Sequence, residues 1–182
     1  AFADVDHDGY PDLYVCNWFA PDLFYKNING KYFELQDLAI FHTKNVLNSN
    51  GVVFADIDND MDLDMLVTDR DRFNRLYLNE YDAEKENWHF LDITQKAGLM
   101  HIYPSYGAVI VDFNNDGWQD IWINSVGPNT LFINTGGGNF EKVYEEPIER
   151  WHPKKHYSTG AAVADVDSDG DLDLFIANKD SN

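Results

Sequence analysis

Short apolar runs of four to seven residues recur along the chain and are separated by polar turns. Runs such as GVVFA at 51–55 and YGAVIV at 106–111 are rich in Val, Ile, Phe and Tyr, and Asn, Asp, Gly and Pro stand between the runs. This composition and spacing are typical of β-strands, while stretches with a helical period are scarce. The pattern therefore predicts an all-β chain built from repeats, each with four antiparallel strands.

Acidic segments repeat with the same period. Of the 24 aspartates, 17 lie in DVDHDGYPD, DIDNDMDLD, DFNNDGWQD and DVDSDGDLD, which begin 52, 56 and 53 residues apart. Four strands in a unit of about 40–50 residues form one blade of a β-propeller. We therefore predict a single partial β-propeller over 1–182, with about three and a half blades. The predicted blades are approximately 1–48, 49–104, 105–158 and an incomplete 159–182.

The predicted ring is incomplete at both ends. Its first blade enters at the end of a first strand, and its fourth stops after a second strand. Fewer than four blades do not close a ring. We therefore expect this chain to be part of a longer propeller, or to complete its sheet edges with another chain. It also starts at Ala1 without Met or a leader, as expected of a mature, trimmed or partial sequence.

Each acidic segment carries oxygen ligands at alternate positions. In the first segment, carboxylates stand at positions 1, 3, 5 and 9, and Gly9 is at position 6. Alternate side chains of an extended chain point to one side, and a turn at position 6 brings the position-7 carbonyl and the position-9 carboxylate to the same point. Like charges about 4 Å apart cost roughly 1–4 kcal/mol per contact, and a bound cation removes this cost. A flexible, all-oxygen site favours calcium over magnesium.

A solvated acidic turn is the alternative for any single loop, since DG and ND are ordinary turn dipeptides. Four loops in register favour calcium instead. An EF-hand does not fit, because position 12 is Val or Ile rather than Glu and the flanks alternate as strands. Met61 stands at the turn position of the second loop, and Asn114 replaces an aspartate in the third. We expect the third loop to bind calcium most weakly.

The chain resembles the FG-GAP or VCBS repeat family, calcium-loop propellers that include the integrin α-subunit head. The resemblance rests on GVVFADIDNDMDLDMLVTD followed by NRLYLN, on YGAVIVDFNNDGWQDIWIN followed by TLFIN, and on GAAVADVDSDGDLDLFIAN. FLDITQKAGL at 90–99 is similar to the cartilage-acidic-protein (ASPIC/UnbV) branch. The resemblance implies about four Ca²⁺ sites, each between the first two strands of a blade. Their ligands would be Asp4, Asp6, Asp8, Tyr10 and Asp12; Asp56, Asp58, Asp60, Asp62 and Asp64; Asp112, Asn114, Asp116, Trp118 and Asp120; and Asp165, Asp167, Asp169, Asp171 and Asp173, with the position-7 residues binding through their carbonyls.

Composition excludes several function classes. The chain has 32 acidic and 13 basic side chains and a formal net charge of −19, which disfavours nucleic acid as a partner. No apolar run reaches the roughly 18–20 residues of a membrane helix, so we expect no membrane insertion. Cys16 is the single cysteine, which excludes an internal disulfide and a cysteine-based zinc site. The histidines share no repeat register and no catalytic motif is present, so we expect no enzymatic activity.

Candidate partner-binding residues lie on the predicted rim opposite the acidic loops. They are Trp18, Phe19, Arg70, Arg72 and Phe73, together with the basic Arg150, Lys154 and Lys155. The basic group could hold an acidic glycan or protein surface, and a solvated connector between blades is the alternative.

Three functional hypotheses follow. The first is a calcium-binding extracellular or periplasmic propeller that binds a protein or glycan, or serves adhesion or assembly, without catalysis. The second is the propeller scaffold of a polysaccharide-active, lyase-like enzyme. The third is a repeating subunit of an extracellular fibre, in which a neighbouring copy supplies the missing half-blade. The family resemblance implies an extracellular or periplasmic location, where calcium is near millimolar.

Overall fold

The computed structural model describes residues 1–38, 48–71, 73–82, 87–100, 103–145 and 156–180. Secondary structure in these ranges consists of β-strands joined by turns. In chain order the strands are β1 (Phe2–Ala3), β2 (Asp12–Val15), β3 (Leu23–Ile28), β4 (Tyr32–Gln36), β5 (Ser49–Ala55), β6 (Asp64–Asp69), β7 (Arg75–Asp82), β8 (Asn87–Asp92), β9 (Ser105–Val111), β10 (Asp120–Ser125), β11 (Thr130–Asn134), β12 (Phe140–Glu145), β13 (His156–Ala164) and β14 (Asp173–Asp180).

The strands form four antiparallel sheets in simple chain order. The first sheet is β1–β4, the second β5–β8 and the third β9–β12, while β13 and β14 form a two-stranded fourth sheet. The all-β prediction with four-stranded antiparallel sheets is confirmed. Within the described ranges, no helix is long and apolar enough to cross a membrane.

The second strand of each inner sheet is buried on both faces. All six residues of β6 and all six of β10 are buried. Because side chains alternate along a strand, Met65 and Val67 pack in a cluster with the first sheet, whereas Leu66 packs with the third. The four sheets therefore stack face to face in chain order, and β9 lies beside both β5 and β13.

The connector after β8 fills the space between the second and third sheets. Ile93, Ala97 and Leu99 are buried in the same apolar cluster as Ile121 and Ile123 of β10. One helical turn shapes this connector, since the Ala97 amide donates to the Ile93 carbonyl at 2.7 Å. The following Gly98 has a φ of +78°, and a Cβ there would lie 2.7 Å from the Phe140 carbonyl oxygen. Only glycine fits this close approach to β12.

Candidate metal centre

The four acidic loops connect the first and second strands of the four sheets, at 4–12, 56–64, 112–120 and 165–173. In each loop the position-1 carboxylate accepts backbone N–H groups from the turn. Asp4 accepts from the amides of Asp8 at 3.1 Å and Gly9 at 2.9 Å, and Asp56 accepts from those of Asp60 and Met61 at 3.2 and 2.9 Å. The position-1 aspartate therefore fixes the loop backbone and also faces its interior.

The position-9 aspartate joins its loop to the third strand. Asp64 accepts the Ile57 amide at one carboxylate oxygen and the Asn79 amide at the other, both at 2.9 Å. Asp120 makes the same pair of bonds with Phe113 and Asn134, at 2.9 and 2.8 Å. These carboxylates are almost fully buried. Burial raises the pKa of Asp64 to about 7.

Two positions in every loop adopt left-handed backbone conformations. Position 6 has a φ of +87° at Gly9 and +78° at Met61, which confirms that Met61 occupies the turn position. Position 4 is also left-handed in all four loops, a feature that the sequence analysis missed. The position-4 residues are His7 (φ +56°), Asn59 (+62°), Asn115 (+58°) and Ser168 (+62°).

Carboxylate oxygens converge inside three loops. Oxygens of Asp4, Asp6 and Asp8 lie within 4.8 Å of one another in the first loop. Equally compact groups form from Asp56, Asp58 and Asp64 in the second loop, and from Asp165, Asp167 and Asp173 in the fourth. The structure thus brings predicted ligands from positions 1, 3, 5 and 9 together, although in different combinations.

The second loop contains a buried oxygen without a hydrogen-bond partner. Asp58 Oδ1 is inaccessible to solvent and accepts no bond from the described residues. Burial and the neighbouring Asp60 raise the pKa of Asp58 to about 6. A buried carboxylate oxygen without a donor is costly unless a cation or proton approaches it. The donor set and this orphaned oxygen both fit a hard cation.

The third loop differs because Asn114 occupies position 3. The Asn114 amide nitrogen donates to Asp116 Oδ2 at 2.9 Å, and its oxygen accepts the Asp116 amide at 3.1 Å. The Asn114 side-chain amide thus supplies a hydrogen-bond donor at position 3, where each of the other loops has a fourth carboxylate. This geometry agrees with the expectation that the third loop binds calcium more weakly than the other loops, and that expectation stays a prediction.

The first loop contains a cation from its own sheet. Lys26 on β3 donates a hydrogen bond to Asp6, and its ammonium lies 3.7 Å from Asp8 Oδ2. The hydrogen bond to Asp6 raises the pKa of Lys26. The sequence analysis missed this contact, because a lysine in an otherwise amphipathic strand is normally solvated.

Position-4 side chains connect each loop to the next. His7 Nε2 lies 3.0 Å from Asp62 Oδ1 of the second loop, and the Asn59 amide donates to the Gly117 carbonyl of the third loop at 3.1 Å. Asn115 donates to Asp171 of the fourth loop at 3.2 Å. The left-handed backbone at position 4 therefore directs a side chain toward the neighbouring sheet, and the four loops form one connected rim.

Asparagines on the third strands of the second and third sheets reach back to the loop of the preceding sheet. Asn79 donates to the Val5 carbonyl and Asn134 to the Ile57 carbonyl, both at 2.7 Å. Both asparagines are buried, so each bond ties two sheets together beneath the loop rim. The regular spacing of these asparagines is visible in the sequence, but their partners in the preceding repeat are not.

The opposite rim uses a different link between sheets. Asn74 accepts the Asp69 amide at 3.0 Å and donates to Ser105 Oγ of the third sheet at 3.1 Å. Asn129 makes the equivalent bond to Ser158 Oγ at 2.8 Å. In the first sheet Asp22 takes the place of this asparagine, and it accepts a hydrogen bond from Ser49 Oγ of the second sheet at 2.6 Å.

Four predicted partner-binding residues lie on that opposite rim. The Arg70 guanidinium stacks over the Trp18 ring, with its carbon 4.7 Å from the ring centroid, and Trp18 Nε1 donates to Asn50. Phe19 is 85% exposed with a φ of +60°, and Phe73 lines a groove together with Arg75 and Asp92. The predicted Arg72, Arg150, Lys154 and Lys155 lie outside the described residues.

A family profile described as the FG-GAP-like repeat matches residues 4–67, 56–123 and 112–176. The chain belongs to the FG-GAP-like repeat family. Each matched FG-GAP-like repeat runs from one acidic loop through the next loop and the strand that follows it, so consecutive matches overlap. This agrees with the geometry, in which each loop completes its contacts with the following sheet.

Among curated relatives, the FG-GAP-like chain is similar to cartilage acidic protein 1 of Xenopus tropicalis. The two are 28% identical over 185 residues, a stretch that covers 92% of this chain. The chain spans only 28% of that relative's length. The resemblance to the cartilage-acidic-protein branch, noted from FLDITQKAGL, thus agrees with a second comparison.

Proposed function

We propose that this chain is a calcium-stabilised portion of an extracellular β-propeller that serves as a non-catalytic binding or structural module. The single observation that carries the proposal is the orphaned, buried Asp58 Oδ1 inside a carboxylate group that the fourth loop repeats. Each such group concentrates negative charge on a turn, and a divalent cation would offset that repulsion. Oxygen-only ligands on a flexible loop favour calcium over magnesium.

The propeller part of the proposal rests on how the sheets stack. Residues two positions after the last loop aspartate are covered by the following sheet, as Tyr14 and Leu66 illustrate at 1% and 0% exposure. The equivalent Phe175 in the fourth sheet is 55% exposed, and Val166, equivalent to the buried Val5 and Ile57, is 60% exposed. A further sheet would bury this apolar face, from the same polypeptide or from another copy.

The extracellular location is supported by family and by chemistry. The similar protein is named a cartilage acidic protein, which agrees with a place outside the cell. Loops with three or four carboxylates and several exposed members suit the modest calcium affinity of extracellular modules, on the order of 10⁻⁴–10⁻³ M. Such sites are filled at the calcium concentration outside cells and stay empty in the cytosol.

Calorimetric titration of the chelated protein with calcium tests the metal proposal. We expect about three or four ions to bind, and a thermal melt in EGTA to show a lower melting temperature than in calcium. Asp58→Asn should remove one ion from the stoichiometry. Glu141→Gln, an exposed charge change on β12, is the matched control and should leave the isotherm unchanged. No binding heat and an identical melt in EGTA would contradict the proposal.

The partner surface is proposed on the rim opposite the loops. The observations that favour it are the Trp18–Arg70 stack and the strained, exposed Phe19, since large aromatic residues and Arg are frequent at binding hot spots. Phe19→Gly removes the ring and also relieves the left-handed strain, so its fold should be preserved. A screen of immobilised glycans and matrix proteins should show a ligand of the wild type that Phe19→Gly loses. A ligand bound equally by both would exclude this surface.

A further inference from the structure

The ammonium of Lys26 occupies a place in the first sheet that no cation occupies in the next two sheets. Tyr25, the residue before Lys26, lies opposite Leu13 in the strand register. Tyr77 lies opposite Met65 in the same way, and Phe132 lies opposite Ile121. Lys26 is therefore structurally equivalent to Leu78 in the second sheet and to Ile133 in the third. At this position the side chain carries a charge in the first alone of these three sheets, and Leu78 packs against the apolar cluster between the second and third sheets.

The first loop also gathers a different set of carboxylates. In the second and fourth loops the compact group consists of positions 1, 3 and 9. In the first loop it consists of positions 1, 3 and 5, namely Asp4, Asp6 and Asp8. Lys26 contacts two of these three, Asp6 and Asp8. The altered grouping thus coincides with the presence of the ammonium.

We propose that Lys26 is a tethered cation of the first loop, which orders this loop without calcium and competes with calcium for the same carboxylates. This inference rests on the proposed function, because it assigns unequal roles to loops that would otherwise bind calcium alike. The first loop is then a structural loop at low calcium and the second a calcium-dependent one.

The physical basis is competition for the same charge. An ammonium within hydrogen-bond distance of Asp6 satisfies part of the negative potential that would attract the ion. A calcium ion that enters must displace the ammonium or share the site with it, and either costs interaction energy. Leucine at this position would leave the carboxylates uncompensated, as Leu78 does in the second sheet.

Lys26→Leu is a suitable test, because Lys26 lines a groove of mixed apolar and acidic residues, and a leucine there can pack against the apolar ones. The groove has a volume of about 360 Å³, and its lining includes Phe24, Trp88 and Phe90. Lys26→Arg keeps the positive charge and serves as the rescue variant. Lys142→Leu removes one exposed positive charge on β12, where Lys142 forms an ion pair with Glu145, and is the control for net charge.

Calcium titration and thermal unfolding in EGTA decide the proposal together. With Lys26→Leu we expect one site to tighten by about tenfold or more, the scale of removing a charge close to a dication, and a lower melting temperature in EGTA. Lys26→Arg should resemble the wild type in both. The reverse change, Leu78→Lys, should weaken one site.

Two failures are distinguishable. Wild-type protein that binds no calcium at all would contradict the proposed function. In protein that does bind calcium, a Lys26→Leu isotherm that matches Lys142→Leu would overturn the competition. A Lys26→Leu melting temperature in EGTA equal to that of Lys142→Leu would overturn the ordering role.

Discussion

The two rims of the stacked sheets hold neighbouring sheets together with different chemistry. On the loop rim, clustered carboxylates take part in contacts between sheets, as in the His7–Asp62 and Asn115–Asp171 pairs, alongside neutral bonds from Asn to backbone carbonyls. On the opposite rim, single buried hydrogen bonds to serine join the sheets: Asn74–Ser105 and Asn129–Ser158 are neutral pairs, and the isolated Asp22 bonds to Ser49 in the first sheet. Neutral buried pairs need no counter-ion, whereas clustered carboxylates do. Under the proposed function, the calcium dependence of this fold therefore belongs to the loop rim, where the carboxylates cluster.

The largest expected effect comes from pH in the metal-free protein. Burial raises the pKa of Asp64 to about 7, so the folded state holds a proton that the unfolded chain releases near pH 4. The resulting stability is complete below about pH 4 and is lost as the pH rises through 7. We expect unfolding free energy in EGTA to fall by up to about 4 kcal/mol between pH 4 and pH 8.

Denaturant melts across this pH range check the effect. Calcium should reduce the change of unfolding free energy with pH, since the ion favours the ionised carboxylate. Asp71→Asn, which changes an exposed carboxylate on the opposite rim, should leave the slope in EGTA unaltered. Equal stability at pH 5 and pH 8 without calcium would contradict the claim that the loop-rim carboxylates make stability depend on pH.

The next effect concerns two buried asparagines that both join the second and third sheets. Asn134→Ala removes the bond to the Ile57 carbonyl on the loop rim, and Asn74→Ala removes the bond to Ser105 on the opposite rim. Each should cost about 2–3 kcal/mol, because buried partners lose their bonds. Asn134→Ala should also weaken calcium binding, since Ile57 belongs to the second loop.

Chemical denaturation and calcium titration of both variants make this a matched experiment. Equal losses of stability with unequal losses of calcium affinity are the expected result. If Asn74→Ala weakens calcium binding as much as Asn134→Ala does, the two rims are energetically coupled, and the proposed separation is wrong.

The smallest expected effect is the gain in stability when either of two left-handed residues is replaced by glycine. Met61 has a φ of +78° on the loop rim and Phe19 a φ of +60° on the opposite rim. A left-handed residue other than glycine costs about 1–2 kcal/mol, and the added freedom of glycine in the unfolded chain offsets part of the gain. Met61→Gly and Phe19→Gly should each stabilise by about 0.5–1 kcal/mol.

The same two variants should differ in calcium affinity. Met61→Gly relaxes the turn of the second loop and should tighten calcium binding, while Phe19→Gly should not change it. Thermal melts with and without calcium check both statements. Destabilisation by Met61→Gly would show that the side chain has a role that its 80% exposure does not suggest.

The sequence predicts the strands and loops well, because each is encoded within a few neighbouring residues. Alternating apolar residues specify the strands, and the aspartate spacing specifies the loops. The links between sheets were not predicted, since their partners are far apart in the chain. Asn79 and Val5 are 74 residues apart, and position 4 is His, Asn or Ser, with no shared chemistry to reveal a common role.

Lys26 illustrates a second limit of sequence reasoning. Strand alternation places a lysine on the exposed or the buried face of a sheet, but it does not show that the side chain enters a neighbouring loop. The loop aspartates and Lys26 are each visible in the sequence. Their contact depends on the antiparallel register of β2 and β3, which sets Lys26 beside Asp12.

Hydrogen bonds from third-strand asparagines to the loop of the preceding sheet affect how the protein folds during its synthesis. The first loop receives its bond from Asn79, and the second from Asn134, which follow Val5 and Ile57 by 74 and 77 residues. During vectorial emergence from a ribosome or a secretion channel, each loop therefore remains unfinished until the next sheet has been delivered. The loops therefore complete their hydrogen bonds in order from the amino terminus, each only after the following sheet has formed. A chain whose synthesis stops early leaves its last loop without this bond.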